Sequence, residues 1–351
     1  MAGTRQYEFP FLEDVAQHGS LGSGLQVKRR RGTGLIVAVA RHDHLSHEAF
    51  EAIARFRLNQ YVAAGLYDEH QAWRYRKHGD PSLSVLAGHD LHVAVGDTHG
   101  RFLAYLCIQS ALPVPVPGSR DTQARITKGS NPRLQEHSRP LFPVETEYGN
   151  IYSRHQRLQA VPISEVRELT RLLRNQDPSL RRDPIAHVAL AEVLIAGTKT
   201  LYDPASRIEA IVGCIAPDAR RVLYAMGIPI AYAPEAPVIG ANLGGGSPES
   251  PDELLWTRAA TVPGRFWPCA IATADLRADH DYYDTLDQLL ETPDKAAALR
   301  AIARHRLGAP RRRARYSASG EQAGGLLWTD RPLDPVTHAN AVSNELDSES
   351  A

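Results

Sequence analysis

The sequence predicts an α/β (α+β) protein whose sheet contains both antiparallel and parallel strands, with helices beside it. The segments 91–95 and 102–109 are apolar and strand-like, and the turn-rich connection between them fits an antiparallel hairpin. Further along, strands and helices alternate, which predicts a right-handed crossover between two parallel strands. These alternating segments are 166–172, 185–196, 208–215 and 217–226.

The N-terminal part leads into this pattern. Residues 1–33 are polar and Gly-rich, and the apolar, β-branched run 34–40 has the length of a first strand. Ser46 then has the residue type of a helix N-cap, with acidic residues in the following turns. The apolar stripe of this helix is expected to run to about Ala64, and Gly65 to end the helix. A second helical stretch is predicted for 68–77.

Proline and glycine mark the later boundaries. Residues 112–142 contain five prolines among many polar residues, which predicts a long irregular insertion. The segment 148–158 has a helical pattern. Pro184 is placed to open the helix that follows it, and Gly197 to end it. Gly227 is likewise placed to stop the next helix.

The domain organisation follows from these patterns. We predict an N-terminal extension with the first strand at 1–45 and a main domain at 46–245 that carries the insertion. A C-terminal extension at 246–316 is expected to pack on this domain, because it contains the apolar segment 266–273. The Ser-, Gly- and Asp-rich tail at 317–351 is expected to be disordered.

Composition excludes several classes of function. The 351 residues, 43% of them hydrophobic, can supply a packed core. Forty basic and forty acidic residues argue against a field that would collect nucleic acid or anionic membrane. Without a long uncharged apolar run or an N-terminal apolar stretch, we expect a cytoplasmic protein with no integral membrane contact. Few Met and Lys beside abundant Arg are typical of a GC-rich bacterial genome.

Cysteine usage predicts a reducing compartment. Cys107, Cys214 and Cys269 are odd in number and widely separated, so they suggest neither a disulfide framework nor a metal-binding pair. Cys107 and Cys214 lie in apolar strand segments, which is typical of core residues rather than nucleophiles.

Two basic runs lie outside the patterned core. The runs 28–31 and 311–315 are interpreted as solvated arms at the domain edges. The alternative is a docking patch for an acidic protein partner.

The histidine cluster 42–47 has two interpretations. His42-Asp-His-Leu-Ser-His47 resembles a His-x-His-x-Asp-His motif of metallo-hydrolases, but Ser46 replaces the Asp and no later His partner is evident. We therefore predict no metal site, while Ser46 also serves as the helix cap.

Four features then carry a family resemblance. Arg57 and Tyr61 are spaced i and i+4 on one helical face, and 168–171 reads Glu-Leu-Thr-Arg in a strand. Ile211-Val-Gly213 is followed by Arg220, Arg221 and Gly227. The loop 173–183 lacks the Gln/Arg-x-x-Gly-x-Gly/Ala signature that holds pyrophosphate in ordinary acetyl-CoA-using enzymes of the same superfamily.

This order resembles the GNAT superfamily of N-acyltransferases over about residues 45–245. More narrowly, it is similar to the branch of acyl-homoserine-lactone autoinducer synthases and long-chain N-acyl amino acid synthases. Two positions depart from the family pattern. Trp73 lies too far along to be the expected Trp, and Gln109 stands where a basic residue is expected.

The resemblance implies a GNAT-like acyltransferase fold with a central mixed, largely antiparallel sheet flanked by helices. It implies transfer of an acyl group, of fatty type, from a carrier-protein or CoA thioester to the amine of an amino acid or related metabolite. The backbone of strand 166–172 would bind the donor carbonyl. Glu168 would deprotonate the amine or hold its ammonium, unless it only forms an ion pair with Arg171 or Arg57.

The remaining site residues follow from the same resemblance. Arg171 would help to shape the site, although an offset of three on a regular strand places it on the face opposite Glu168. Arg57 would bind a carboxylate or phosphate, unless it is a surface cation. Residues expected to bind the amine substrate are Arg57, Tyr61, Asp80, Asp90, Gln109 and Glu147, with Glu145 as a further candidate. Residues expected to bind the acyl donor are Val166, Leu169, Thr170, Leu172, Arg220 and Arg221.

The expected partners are small molecules and a carrier. We predict no permanently bound cofactor, with acyl-ACP (a phosphopantetheine thioester) or acyl-CoA as co-substrate. The missing pyrophosphate loop favours delivery by acyl carrier protein. Nucleic acid is not expected, and the protein is expected to be a monomer or homodimer. The alternative function is a catalytically silent GNAT-like module that binds a metabolite or an acyl-thioester.

Overall fold

The computed structural model describes residues 8–12, 14, 24–64, 88–111, 142, 158, 160–180, 183–203, 206–215, 222–223, 226–228, 230–232 and 267–307. The predicted helix at 68–77 and the tail at 317–351 lie outside these residues, as does nearly all of the insertion at 112–142. Only single residues or short pieces of the predicted helices at 148–158 and 217–226 are described.

One sheet of eight strands organises the described residues, in the order β1-β2-β3-β4-β5-β6-β8-β7. The strands are β1 (Leu25–Arg29), β2 (Leu35–Arg41), β3 (Leu91–Asp97), β4 (Phe102–Gln109), β5 (Val166–Arg174), β6 (Ala210–Ile215), β7 (Ala231–Tyr232) and β8 (Trp267–Ala272). All neighbours are antiparallel except β5 and β6, which are parallel. The predicted hairpin and the parallel pair are both confirmed.

Helices cover the two faces of this sheet. They are α1 (His47–Ala63), α2 (Ile185–Tyr202), α3 (Thr273–Ala278), α4 (His280–Leu289) and α5 (Lys295–Leu307). The larger core cluster joins α2 to one face, and a second cluster joins α1 to the other. The predicted mixed, largely antiparallel sheet flanked by helices is therefore confirmed.

Helix α2 is the crossover between the two parallel strands and the centre of the larger core. Among the described residues, α2 is long and apolar enough to cross a membrane, but 78% of it is buried inside the fold. The prediction that Gly197 ends this helix is wrong, because α2 continues to Tyr202. A Cβ at Gly197 would lie 2.7 Å from Cδ2 of Leu106, so the glycine allows α2 to approach β4 closely.

The N-terminal segment contributes more than one strand. Leu25–Arg29 forms β1, which pairs with β2, so the predicted first strand at 34–40 is the second strand. The interpretation of 28–31 as a solvated arm is also wrong, since Lys28 and Arg29 belong to β1 and Arg30 is only 2% exposed. The second basic run, 311–315, lies outside the described residues.

A buried ion pair accounts for Arg30. Its guanidinium donates from Nε to Oε1 of Glu192 at 2.8 Å and from Nη2 to Oε2 at 2.8 Å. Glu192 lies in the middle of α2 and is fully buried. Arg30 also bonds the carboxylates of Asp287 in α4 and Glu291 just beyond it. The network therefore fixes β1, α2 and α4 to one another.

The C-terminal part joins the same sheet. Strand β8 lies between β6 and β7, and the hydroxyl groups of Tyr282 and Tyr283 in α4 donate to the carbonyls of Met226 and Gly227. The sheet thus includes strands on both sides of the segment 46–245.

The cap of α1 gives a first prediction. Ser46 Oγ accepts a hydrogen bond from the backbone N–H of Ala49 at 3.1 Å, which confirms the predicted N-cap. We expect Ser46→Ala to lower the free energy of unfolding by about 1 kcal/mol, because it leaves a first-turn N–H of α1 without this acceptor. Urea denaturation measures this loss. Ser164→Ala at an exposed serine is the control, and equal effects of the two substitutions would contradict the prediction.

Candidate functional site

Several site residues predicted from the sequence lie on the face of the sheet that α1 covers. Gln109 in β4 pairs with Glu168 in β5, and Cys107 pairs with Thr170. His92 in β3 pairs in turn with Cys107, which packs in the α1 core cluster. Directly paired residues of neighbouring strands project from the same face of a sheet. These five side chains therefore share the α1 face.

Asp90 and two residues of α1 complete the group. Asp90 directly precedes β3, and its carboxylate accepts bonds from the backbone N–H of Ser110 at 2.7 Å and from its hydroxyl at 2.5 Å. The guanidinium of Arg57 lies over the ring of Tyr105 at 5.7 Å from its centre. Arg57 and Tyr61 are each only 2% exposed, so Arg57 is not the surface cation of the alternative interpretation.

The collected polar side chains are shielded from water. Glu168 is 1% exposed, Asp90 1% and Gln109 5%. Burial raises the pKa of the Cys107 thiol to about 11, although the charge of Arg57 lowers it. Cys107 is completely buried in the core cluster under α1, which confirms its interpretation as a core residue.

The strand that carries Glu168 contains a bulge. The register of β5 against β4 shifts after Thr170, so that β5 has one extra residue there, and Arg171 adopts a φ of 59°. The guanidinium of Arg171 lies 5.9 Å from the centre of the Tyr61 ring on α1. The prediction that Glu168 and Arg171 occupy opposite faces is therefore wrong, because it assumed a regular strand.

Directly beside this bulge, β5 parts from its parallel neighbour. The pairing of β5 with β6 ends at Leu169 and Gly213, although β5 continues to Arg174 and β6 to Ile215. Within the described residues, the last part of β5 is thus paired only with β4. The edge of β5 beyond Leu169 is therefore not paired with β6 in the described part of the chain.

Thr170 presents a hydroxyl at the point where the strands part. The side chain is 6% exposed, and Oγ1 lies near the Cys107 thiol, a weak partner. Among the described residues, Oγ1 has no hydrogen-bond partner of normal geometry. A buried hydroxyl in this state gains free energy when a ligand bonds to it.

Three further donor-site candidates contact the core. Val166 is fully buried, and the side chains of Leu169 and Leu172 pack against the cluster around α2. Only the backbone of Leu169 and Leu172 is therefore available to a ligand on the α1 side. Asp80, Glu145, Glu147, Arg220 and Arg221 lie outside the described residues.

The loop between β5 and α2 is held by its own hydrogen bonds. Nδ2 of Asn175 donates to the carbonyl of Phe102 at 2.7 Å, and the N–H of Gln176 donates to Oε1 of Gln60 in α1 at 2.8 Å. At the end of the loop, the carboxylate of Asp183 accepts from the N–H of Ile185 at 2.9 Å. One backbone N–H at the start of α2 is thus bonded by a carboxylate of this chain.

A chain of buried polar residues that the sequence did not reveal borders the site. Nδ1 of His42 lies 3.0 Å from Nε2 of His92, and Nδ1 of His92 lies 2.8 Å from the hydroxyl of Tyr105. His92 and Tyr105 are completely buried. The sequence signal for this chain was one polar residue inside each of two predicted strands, His92 in 91–95 and Tyr105 in 102–109.

The histidine cluster 42–47 divides between two roles. His42 turns inward to His92, whereas His47 is 78% exposed and pairs with Glu51. Across the described ranges, no group of three or more His, Cys, Asp or Glu side chains is arranged to hold a metal ion.

The buried imidazole of His92 gives a pH prediction. Burial, with the nearby His42 and the charge of Arg57, holds the pKa of His92 well below 6.5. A histidine that is protonated more readily in the unfolded chain contributes stability above about pH 6.5, and that stability is lost as the pH falls further. We therefore expect the free energy of unfolding to fall less steeply from pH 6.5 to pH 5 in His92→Gln than in the wild type.

Denaturant titration at each pH gives these slopes. The exposed His47→Ala variant is the control and is expected to keep the wild-type slope. If His92→Gln also keeps it, His92 does not contribute to the pH dependence.

No family model matches the sequence, and no curated protein matches it. Solved structures similar to the chain include TofI in a ternary complex with an inhibitor and MTA, at a TM-score of 0.38 and 13% identity, covering 74% of this chain and 98% of that chain. The AHL synthase LasI is similar at a TM-score of 0.35 and 12% identity, covering 69% and 91%. The CoA-dependent acyl-homoserine lactone synthase BjaI with MTA is similar at a TM-score of 0.35 and 12% identity, covering 77% and 97%.

Proposed function

We propose that the chain is an N-acyltransferase. It transfers an acyl group of fatty type from a carrier-protein or CoA thioester to the amine of an amino acid or a related metabolite. One observation carries this proposal: β5 bulges and parts from β6 directly after Glu168, beside a buried polar face under α1.

The parted strands suit the thioester. Acyl transfer develops negative charge on the carbonyl oxygen, and backbone N–H groups aimed at that oxygen stabilise it. Backbone groups of β5 beyond Leu169 lie on the edge that β6 leaves in the described structure. The Thr170 hydroxyl is a further donor at the same place.

The α1 face suits the amine. An amino acid ammonium must lose a proton before its nitrogen can attack the carbonyl, and a carboxylate can accept that proton or hold the ammonium. Glu168 is the buried carboxylate nearest in sequence to the bulge, two residues before Thr170. Arg57 on α1 would bind the carboxylate of the same acceptor, with Gln109 and Asp90 as further polar contacts.

The start of α2 favours a donor other than free CoA. Helix N-termini bind pyrophosphate through free N–H groups. Here Asp183 accepts from the N–H of Ile185 at the start of α2, and Asp177 accepts from the N–H of Ser179 in the loop before it. The Asp183 carboxylate occupies one of these amides and would repel a pyrophosphate, which supports a fatty acyl chain on carrier-protein phosphopantetheine as the donor.

The cellular setting follows from this proposal. Acyl carrier protein is an intracellular donor, so the enzyme would act in the bacterial cytoplasm as a monomer or homodimer. It would need no permanently bound cofactor, because the reaction only exchanges a thioester for an amide.

The test is an incubation of the purified protein with fatty acyl carrier protein or fatty acyl-CoA and pooled amino acids. Free thiol is followed with a chromogenic reagent, and new acyl-amide masses are identified by mass spectrometry. We expect thiol release that depends on the amino acids, with the carrier-protein donor used more efficiently. Tight binding of one donor without any thiol release would overturn the enzyme and favour the silent binding module.

A further inference from the structure

The reaction proposed above releases one proton for each amide formed. The acceptor ammonium loses two protons as its nitrogen forms the bond to the acyl carbon and the carbon–sulfur bond breaks. One proton ends on the sulfur of the departing thiol, and the other must reach solvent. Because Glu168 is 1% exposed and lies among other buried groups, this second proton needs a path outward.

We propose that Tyr105, His92 and His42 form a proton relay between the buried α1 face of the site and solvent. This inference rests on the proposed function. The relay runs from the hydroxyl of Tyr105 through both ring nitrogens of His92 to Nδ1 of His42, over distances of 2.8 and 3.0 Å.

The inner end of the relay lies at the site. Tyr105 is on the same face of β4 as Cys107, whose strand partner is Thr170. The guanidinium of Arg57 lies over the Tyr105 ring, at 5.7 Å from its centre. An acceptor held by Arg57 would therefore lie beside the Tyr105 side chain.

The outer end faces solvent. His42 is only partly buried, at the end of β2 where the chain turns into α1. Its ring stacks on His92 with centroids 5.2 Å apart, and Phe50 of α1 packs edge-on against it at 5.8 Å. Nδ1 points inward to His92, so Nε2 remains as the outer nitrogen of the ring.

The hydrogen bonds of this chain have two complete patterns. In the first, the Tyr105 hydroxyl donates to Nδ1 of His92, Nε2 of His92 donates to Nδ1 of His42, and Nε2 of His42 carries a proton. In the second, every donor and acceptor is exchanged, and Nε2 of His42 is bare. Passing from the first pattern to the second brings one proton in at Tyr105 and releases one from His42, while all three groups stay neutral.

Burial and the charge of Arg57 favour neutral histidines in this chain, because both lower the pKa of His42 and of His92. The carboxylates of Asp90 and Asp43 act in the opposite direction and raise the pKa of His42. Burial lowers the pKa of both histidines, so an imidazolium is disfavoured as a resting state. A structural hydrogen-bond network would need only one of the two patterns, whereas a relay must pass between both.

The experiment measures kcat against pH for His42→Ala, His92→Gln and Tyr105→Phe, with His47→Ala as the matched control from the same histidine cluster. We expect the three relay variants to lose about 10- to 100-fold in kcat with a changed pH profile, and the control to stay at the wild-type value. Added imidazole is expected to restore His42→Ala, whose site is open to solvent, and not His92→Gln. Unchanged kcat in His42→Ala, or a loss that imidazole does not restore, would overturn the relay.

A second measurement separates this inference from the proposed function. If the wild type releases no thiol with any donor, the proposed function fails, and the relay is judged by ¹⁵N NMR of the histidine rings in the full chain. Exchange of His92 between its two neutral tautomers, lost in Tyr105→Phe, supports the relay. A single fixed tautomer of His92 overturns it.

Discussion

Glu168→Gln is expected to lower kcat/KM for transfer of the acyl group to the amine by about 10²- to 10⁴-fold. The amide keeps the size of the side chain and can still accept hydrogen bonds, but it cannot take a proton from the acceptor ammonium. Because Glu168 is buried on β5 beside the bulge, no bulk water replaces it easily. The measurement is amino-acid-dependent thiol release with fatty acyl carrier protein as donor.

The matched control is Glu165→Gln, three residues earlier in the same segment. Glu165 lies in the turn before β5 and is partly exposed, so the same chemical change there is expected to leave the rate unchanged. Equal melting temperatures of the two variants would show that both fold. A rate in Glu168→Gln within twofold of the wild type would exclude Glu168 from the proton transfer.

Arg30→Ala is expected to lower the free energy of unfolding by about 3–5 kcal/mol. The substitution leaves Glu192 in the centre of α2 without the guanidinium that donates to both of its oxygens. Burial raises the pKa of Glu192, an effect that Arg30 opposes. The loss is therefore expected to be larger at pH 8 than at pH 5.5, where Glu192 can take up a proton instead of remaining as a buried charge.

Lys28→Ala is the control for this prediction. Lys28 pairs with Asp287 and Glu291 from a side chain that is 53% exposed, and exposed ion pairs contribute at most about 1 kcal/mol. Urea denaturation of both variants compares a buried and an exposed member of one charge network. Equal losses in the free energy of unfolding for Arg30→Ala and Lys28→Ala would show that burial does not increase the contribution of the Arg30 ion pair to stability.

Local patterns in the sequence were sufficient for most of the central sheet. The hairpin of β3 and β4 and the cap at Ser46 depend on residues that are close in the chain. Their chemistry is local, because turn residues and caps act on neighbouring backbone groups. The same holds for the start of α2 after Pro184.

Long-range contacts explain what the sequence did not reveal. The charge of Arg30 was interpreted as solvated because its partner Glu192 lies 162 residues away in the chain. Gly197 was interpreted as a helix end because its reason, the close approach of α2 to Leu106, is a tertiary contact. Propensity describes a residue in isolation, and packing against a distant strand can override it.

Motifs in the sequence name candidate site residues, but the geometry of the site depends on contacts between strands. The family motifs identified Glu168, Arg57 and Tyr61, and the structure brings them to one face. The bulge at Arg171 could not be predicted, because a positive φ at a non-glycine residue leaves no local signal. The partners of His92 depend on the strand register, which joins it to Cys107 and brings the hydroxyl of Tyr105 within 2.8 Å.

We propose that this face of the sheet makes an amide from an acyl thioester. The most direct measurement is mass spectrometry of lipid extracts from bacterial cells that express the wild type, Glu168→Gln or Glu165→Gln at equal levels. We predict a new N-acyl compound with the wild type and with Glu165→Gln, and about 100-fold less of it with Glu168→Gln. Equal amounts from all three, or no N-acyl compound from the wild type, would contradict this claim.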